Sequence, residues 1–213
     1  PSLRGEWTKA LNSSNTATLF LTPNWQELWW ERFGAPDASV EPEAELMLLA
    51  IREEQKLLGI APMMRKDLKL SFLGDSDLFD YHDFVVTKDE EERFYPALLD
   101  TLDNQSWQQL YLASVPHGSP TLSYLPWLAQ QRGWSCDVER EDVAPGLALP
   151  TDWETYLSFL KKKDRHELRR KFRRLYNGVP PLVHTYTNLH QLTEHMESFF
   201  TLMKKGHHGK NAF

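Results

Sequence analysis

Two apolar runs lying close together limit what this chain can fold into more than any other feature. Glu45–Ile51 and Lys56–Met64 are separated only by the charged stretch Arg52–Gln55, a spacing that reads as an antiparallel hairpin. A third run, Leu68–Leu73, alternates through Leu68, Leu70 and Phe72 and stops at Gly74. Tyr81–Val86, Trp107–Ala113, Trp134–Arg140, Gly146–Leu149 and Leu182–Tyr186 carry further strand signals, and Thr18–Leu21 a short one. Helical patterns fall between them. Thr22 caps a helix with Pro23 in its first turn, and Trp25, Leu28, Trp29 and Phe33 predict a buried aromatic face that ends at Gly34. Glu90–Leu102 turns Phe94, Leu98 and Leu102 inward, Ser119-Pro120 opens another helix, and Leu189–Lys205 reads as a further one. Residues 1–17 read as irregular and 35–44 as a loop. Strands and helices alternate after one early hairpin, which gives an α/β or α+β chain with a mixed sheet.

The length of 213 residues suits one large domain or two small ones, and eight Trp within 41% hydrophobic residues supply an ample core. A total charge of −6 argues against a general nucleic-acid binder. Cys136 is the single cysteine, so an intrachain disulfide and a thiolate zinc site are both excluded, which fits a reducing cytoplasm. The longest purely apolar run, Leu46–Ile51, is far short of a membrane span, and the N-terminus shows no signal-peptide pattern. The absence of an initiator Met and the abrupt end at Phe213 read as a processed chain or a fragment.

Residues 149–178 reverse the local charge. Between 161 and 176 nine Lys or Arg face only Asp164 and Glu167, a net +7, so the rest of the chain carries −13. Thr151 and Glu154 have capping-box spacing, and Trp153, Tyr156, Leu157 and Leu160 recur helically. Asp164 and Glu167 repeat the spacing, which predicts a break near Lys162–Asp164 and a second helix to Tyr176, closed by a left-handed Asn177-Gly178 and by Pro180-Pro181. On a helical wheel Leu168, Phe172 and Leu175 form an apolar stripe. Arg165, Arg169 and Arg173 flank it, while Arg170 and Arg174 face away. Three guanidiniums one turn apart suit a phosphate or carboxylate; a solvated basic face is the plainer alternative.

The segment FLGDSDLFDYHDF (72–84) gathers Asp75, Asp77, Asp80 and Asp83 around Tyr81 and His82 after a strand. Asp80, His82 or Asp83 there can take a proton from an amine. Crowded carboxylates raise one another's affinity for protons, and strand alternation puts Tyr81 and Asp83 on one face. Carboxylates that merely cap backbone amides are the structural alternative. No Walker loop, G-x-G-x-x-G or G-x-S-x-G is present, and adjacent His207-His208 in a glycine-flanked loop makes a poor metal site.

These stretches, taken in order, resemble a known family. The pieces are L-F-L-T-P-N-W-x-x-x-W-W-x-x-F-G (19–34), L-L-G-I-A-P (57–62), F-L-G-D-x-D-x-x-D-Y-x-D-F (72–84), S-P-T-L (119–122), L-P-T-D-W-E-x-Y-L (149–157) and R-H-E-L-R-R-K-x-R-R-L (165–175). Together they resemble the CelD-like, cellulose-biosynthesis-associated acetyltransferases of the GNAT superfamily, which are related to the FemAB aminoacyltransferases. The resemblance implies a GNAT-like mixed sheet flanked by helices and transfer of an acyl group to an amine. It implies a first GNAT-like domain over 1–150, a basic helical connector over 151–178, and the beginning of a second, truncated half over 179–213. Its donor is an acyl-CoA, or an aminoacyl-tRNA in the FemAB relatives. It carries catalysis to Asp80, Tyr81 and Asp83 and phosphate-bearing ligands to Arg165, Arg169 and Arg173.

The chain departs from that pattern in one respect: the basic, glycine-rich loop that cradles the CoA pyrophosphate is missing, so acyl-CoA is expected to bind poorly. The first expectation is therefore a cytoplasmic N-acyltransferase acting on an amine of a sugar or nucleotide-sugar precursor, in polysaccharide or cell-envelope biosynthesis, without a metal. The second is a non-catalytic module that holds an anionic glycan or nucleotide-sugar through the basic helix. Contact with nucleic acid through that helix is opposed by the −13 elsewhere.

Overall fold

A computed structural model describes residues 2–34, 44–178 and 181–206. The chain divides into two compact units, Pro1–Val143 and Ala144–Phe213. Among the described residues the class is α+β, with a mixed five-stranded sheet and seven α-helices. Residues 35–43 of the expected 35–44 loop, Pro180 and the His207-His208 pair lie outside the described residues.

The first unit is built on the hairpin. β1 (Glu45–Glu53) and β2 (Lys56–Lys66) pair antiparallel from Glu45 opposite Arg65 to Glu53 opposite Lys56, with a register shift between Ile51 and Arg52. An Arg65–Glu45 ion pair ties the open end. The other edge of β2 is shared. β3 (Lys69–Phe72) takes its Met63–Lys66 end, and β4 (Val85–Val86) takes Gly59 and Ile60. Gly59 is required there, because a Cβ would lie 2.7 Å from both the Phe94 ring and the Val85 carbonyl. β5 (Gln109–Tyr111) lies parallel to β3, making the sheet mixed.

Strand alternation divides the core. Ala61, Met63, Phe84 and Val86 belong with Phe94, Tyr95, Leu98, Leu99 and Leu102 of α3 (Glu91–Asp103) and with Leu125 and Leu128 of α4 (Pro120–Gln131). Ile60 and Val85 instead meet Trp7, Ala10 and Leu11 of α1 (Leu3–Ser13) and Leu21. α2 (Pro23–Trp29) brings Trp29 to Leu73 and Phe79 in a third, aromatic cluster. Thr22 caps α2 by accepting from the Trp25 amide at 3.3 Å, and Ser119 caps α4 by accepting from the Thr121 amide at 3.0 Å.

Several expectations need correction. Residues 1–17 are not irregular: α1 forms, and its Trp7 indole donates to the Leu21 carbonyl at 2.9 Å. Leu19–Leu21 is a single 3₁₀ turn rather than a strand. Leu28 and Phe33 are exposed, because Gln26 and Trp29 take the inward positions and the helix widens into a π turn over Trp30–Gly34. Residues 134–140, 146–149 and 182–186 form no strands. Only Val85–Val86 of the 81–86 stretch pairs in the sheet.

In the second unit α5 (Trp153–Phe159) and α6 (Lys162–Tyr176) are separated at Leu160-Lys161, and α7 (Leu189–Gly206) follows. The cap of α5 is Asp152, one residue from the expected Thr151: its carboxylate accepts from the Thr155 amide at 2.9 Å and hydroxyl at 2.7 Å. Asp164 and Glu167 lie inside α6 rather than capping it. Asn177 is extended at φ −83°, and the positive φ belongs to Gly178.

Candidate functional site

The parallel pair β3–β5 sends two loops from neighbouring strand ends, residues 73–84 and 112–119. The carboxyl ends of parallel strands are where open sheets characteristically place ligands. The loops meet where the His82 amide donates to the Ser114 carbonyl at 3.0 Å. Ser114 is held in the left-handed region at φ 58°, a conformation that costs a non-glycine residue energy. Its amide is fixed by the Glu141 carboxylate at 2.9 Å, and its hydroxyl lies 3.4 Å from the same oxygen.

His82 and Asp83 then turn inward, with only 4% and 2% of their surfaces exposed. The His82 ring lies between two phenylalanines, stacked 4.6 Å from Phe79 and 5.6 Å from Phe72. Neither ring nitrogen meets a hydrogen-bond partner. Burial pushes its pKa down to about 4 against the attraction of Asp75 and Glu141, so the imidazole is neutral near pH 7. Gly74, at φ +127°, makes room: a Cβ there would lie 2.7 Å from His82 Nε2 and from the Phe79 ring.

Asp83 docks onto the first turn of α4. Its Oδ1 accepts from the Thr121 hydroxyl at 2.5 Å and from the Phe84 amide at 2.9 Å, and Thr121 in turn pairs with the Tyr95 hydroxyl at 2.9 Å. Oδ2 is buried without a partner. Burial raises the Asp83 pKa, while the nearby Ser119 and Thr121 hydroxyls and the Phe84 amide act the other way. The cause is therefore desolvation and not the crowding of like charges expected from the sequence. Tyr95 is likewise raised, first by burial and then by the Asp83 charge.

The expected trio separates by depth. Asp83 is buried, Tyr81 is half-buried, and Asp80 is exposed, so strand alternation does not put Tyr81 and Asp83 side by side in a regular β4. Asp75 fills the structural role: its carboxylate accepts from the Trp29 indole at 2.7 Å and from the Asp77 and Leu78 amides at 2.9 Å each. Sequence reading missed Thr121, Tyr95 and Ser114. The Ser119-Pro120 cap marks where Thr121 lies, but no local pattern pairs it with Asp83 across 38 residues.

The three arginines that flank the apolar stripe of α6 also differ from one another. Arg165 donates to the Leu157 carbonyl at 3.3 Å and Arg169 pairs with Glu154 at 2.6 Å, both turned back onto α5 beside the Trp153–Phe172 edge contact. Arg173 has no ion-pair partner among the described residues.

Two shallow concavities, one lined by Lys66–Lys69, Gln108 and Gln109 and the other by Leu48–Arg52, Ala97 and Thr101, touch none of these groups. Among the described residues no helix is long and apolar enough to cross a membrane. Comparison of the chain with family models, curated proteins and solved structures gives no match.

Proposed function

We propose that the chain carries an amine-accepting site of a GNAT-type N-acyltransferase, acting in the cytoplasm on an amine of a sugar precursor for polysaccharide or envelope synthesis. The observation that supports this reading is the adjacent pair His82 and Asp83, buried in the loop between β3 and β4 and tied to the loop after β5, with three polar atoms unpartnered. In the transfer, the neutral amine attacks the carbonyl carbon of an activated acyl donor. A C–N bond forms, the bond to the donor's leaving group breaks, and the amine's surplus proton passes to the Asp83 carboxylate. Burial makes that carboxylate a stronger base than an ordinary Asp. The donor expected from the family resemblance is an acyl-CoA. The test is incubation of the chain with acetyl-CoA, or with a truncated acetyl thioester lacking the pyrophosphate, and a set of primary amines. Amide product detected by mass spectrometry supports the reading, and its absence with every amine rejects it.

A second reading, an anion-binding module on α6, draws support from Lys161, Lys162, Lys163 and Arg173, none of which has a carboxylate partner among the described residues.

A further inference from the structure

We infer that α6, with Trp153 of α5 beside it, docks on the surface of an anionic lipid bilayer, its apolar stripe entering the headgroup region and its cations meeting lipid phosphates. The cationic half of this inference rests on the anion-binding reading of α6. The choice of a bilayer rests on the apolar half, which that reading does not use.

The first observation is an apolar ridge left in water. Among the described residues of the second unit only Leu157 is buried. The rings of Tyr156, Trp153, Phe172 and Tyr176 form a continuous file across α5 and α6, with neighbouring centroids 5.3, 5.4 and 6.2 Å apart. Yet Trp153, Phe172, Leu175 and Tyr176 keep 38–55% of their surface exposed. Removing such area from water is favourable, and Trp and Tyr, apolar with one polar edge, are the side chains that collect at a bilayer interface.

The second observation is charge, and it selects the partner. On the helical wheel Arg169 and Arg173 border the stripe on one side and Lys171 on the other, with stems long enough to hold their charges at the lipid phosphates while the stripe enters. Lys161, Lys162, Lys163, Arg173 and Arg174 have no carboxylate partner among the described residues. The second unit carries twelve Lys or Arg against six Asp or Glu, a net +6, while the first unit is −12. α7 supplies the contrast. It also exposes Leu192, Phe199 and Phe200, but Glu194 and Glu197 balance Lys204 and Lys205, so no charge says what covers it. A narrow apolar stripe on an otherwise densely cationic helix is the form in which interfacial helices hold anionic lipid. A single-stranded nucleic acid would use the cations and open ring faces. Here Trp153 is already stacked on Tyr156 and Phe172 on Tyr176, and Leu168 and Leu175 would have no role.

The test is flotation of the whole chain with vesicles of phosphatidylcholine alone and of phosphatidylcholine and phosphatidylglycerol in equal parts. The chain is −6 overall, so attraction by net charge alone predicts exclusion from the anionic vesicles. The expected result is partitioning at least about tenfold stronger to the anionic vesicles, weakened by salt. Brominated lipid tails should quench tryptophan fluorescence, and less so in Trp153→Phe. Leu175→Gln should weaken partitioning severalfold, and Lys162→Gln combined with Arg173→Gln at least about tenfold, with far-ultraviolet spectra unchanged. Equal or weaker partitioning to the anionic vesicles, no quenching, or a Leu175→Gln variant that partitions like the wild type would each overturn the inference. Binding of inorganic pyrophosphate or of a single-stranded RNA without vesicle binding would overturn it and leave the anion-binding reading standing. Vesicle binding without pyrophosphate binding would support it and reject a discrete anion site on α6.

Discussion

Protonating His82 places a charge between Phe72 and Phe79 with no acceptor for either N–H. The folded-state pKa near 4 lies below the usual 6.5, and the sign of the consequence follows. Above pH 6.5 neither the folded nor the unfolded chain holds the proton. As pH falls through 6.5 the unfolded chain binds it first, so stability declines, and the decline is complete once the folded chain is also protonated near pH 4. The loss amounts to roughly 3 kcal/mol. Asp83 acts oppositely, because its raised pKa lets the folded chain take up a proton before the unfolded one as pH falls. Urea unfolding of the wild type and His82→Phe between pH 7 and 4 separates the two, since the variant keeps an aromatic stack and cannot titrate. A shallower pH dependence in the variant is expected; an unchanged slope would place the titrating group elsewhere. At Asp83, Asn retains an Oδ1 acceptor for Thr121 and Phe84, whereas Ala leaves the Thr121 hydroxyl and the Phe84 amide without it. Asp83→Ala should therefore cost about 1–3 kcal/mol more than Asp83→Asn in the same assay.

At the scale of elements, the turn after β3 depends on Gly74. Its positive φ and the 2.7 Å approach of a built Cβ to His82 and Phe79 both oppose a side chain. Gly74→Ala should destabilise the first unit by about 1–3 kcal/mol and expose Phe79, read as a lower melting temperature. A neutral result would mean that the turn relaxes freely. In α6 the cation geometry sets a different expectation from the helical wheel. Arg165 and Arg169 are engaged on α5, which leaves Arg173 as the flank arginine available to a ligand. Titration with inorganic pyrophosphate should show Arg173→Ala weakening binding more than Arg165→Ala or Arg169→Ala. Equal losses would indicate diffuse attraction to the +7 segment. Loss of the exposed Arg169–Glu154 pair should change stability by less than about 1 kcal/mol.

At the scale of the molecule, what was legible in the sequence was what depends on neighbours along the chain. The hairpin, the Thr22 and Ser119 caps, α3 and the α5–α6 pair are set by local periodicity and short turns, and each forms close to where it was expected. α1 was missed because its inward residues are few, Trp7, Ala10 and Leu11, and its polar positions outweigh them. The Trp134–Arg140 and Gly146–Leu149 runs have strand-like composition, yet within the described residues no edge pairs with them, and pairing rather than propensity makes a strand. The candidate site was half legible. Local density pointed to 75–83, but the docking of Asp83 on Thr121 and of His82 on Ser114 comes from β3 and β5 lying side by side, which the sequence does not encode locally.

The central claim is that Asp83 takes a proton from an amine during acyl transfer. It is tested most directly by the rate of amide formation from a truncated acetyl thioester and a saturating primary amine, for the wild type and Asp83→Asn, with melting temperatures recorded on the same samples. The account predicts at least a tenfold slower rate in Asp83→Asn, within the range of roughly 10²–10⁴ that a general base supplies, and a melting temperature close to that of the wild type. An Asp83→Asn variant that forms amide as fast as the wild type would contradict it.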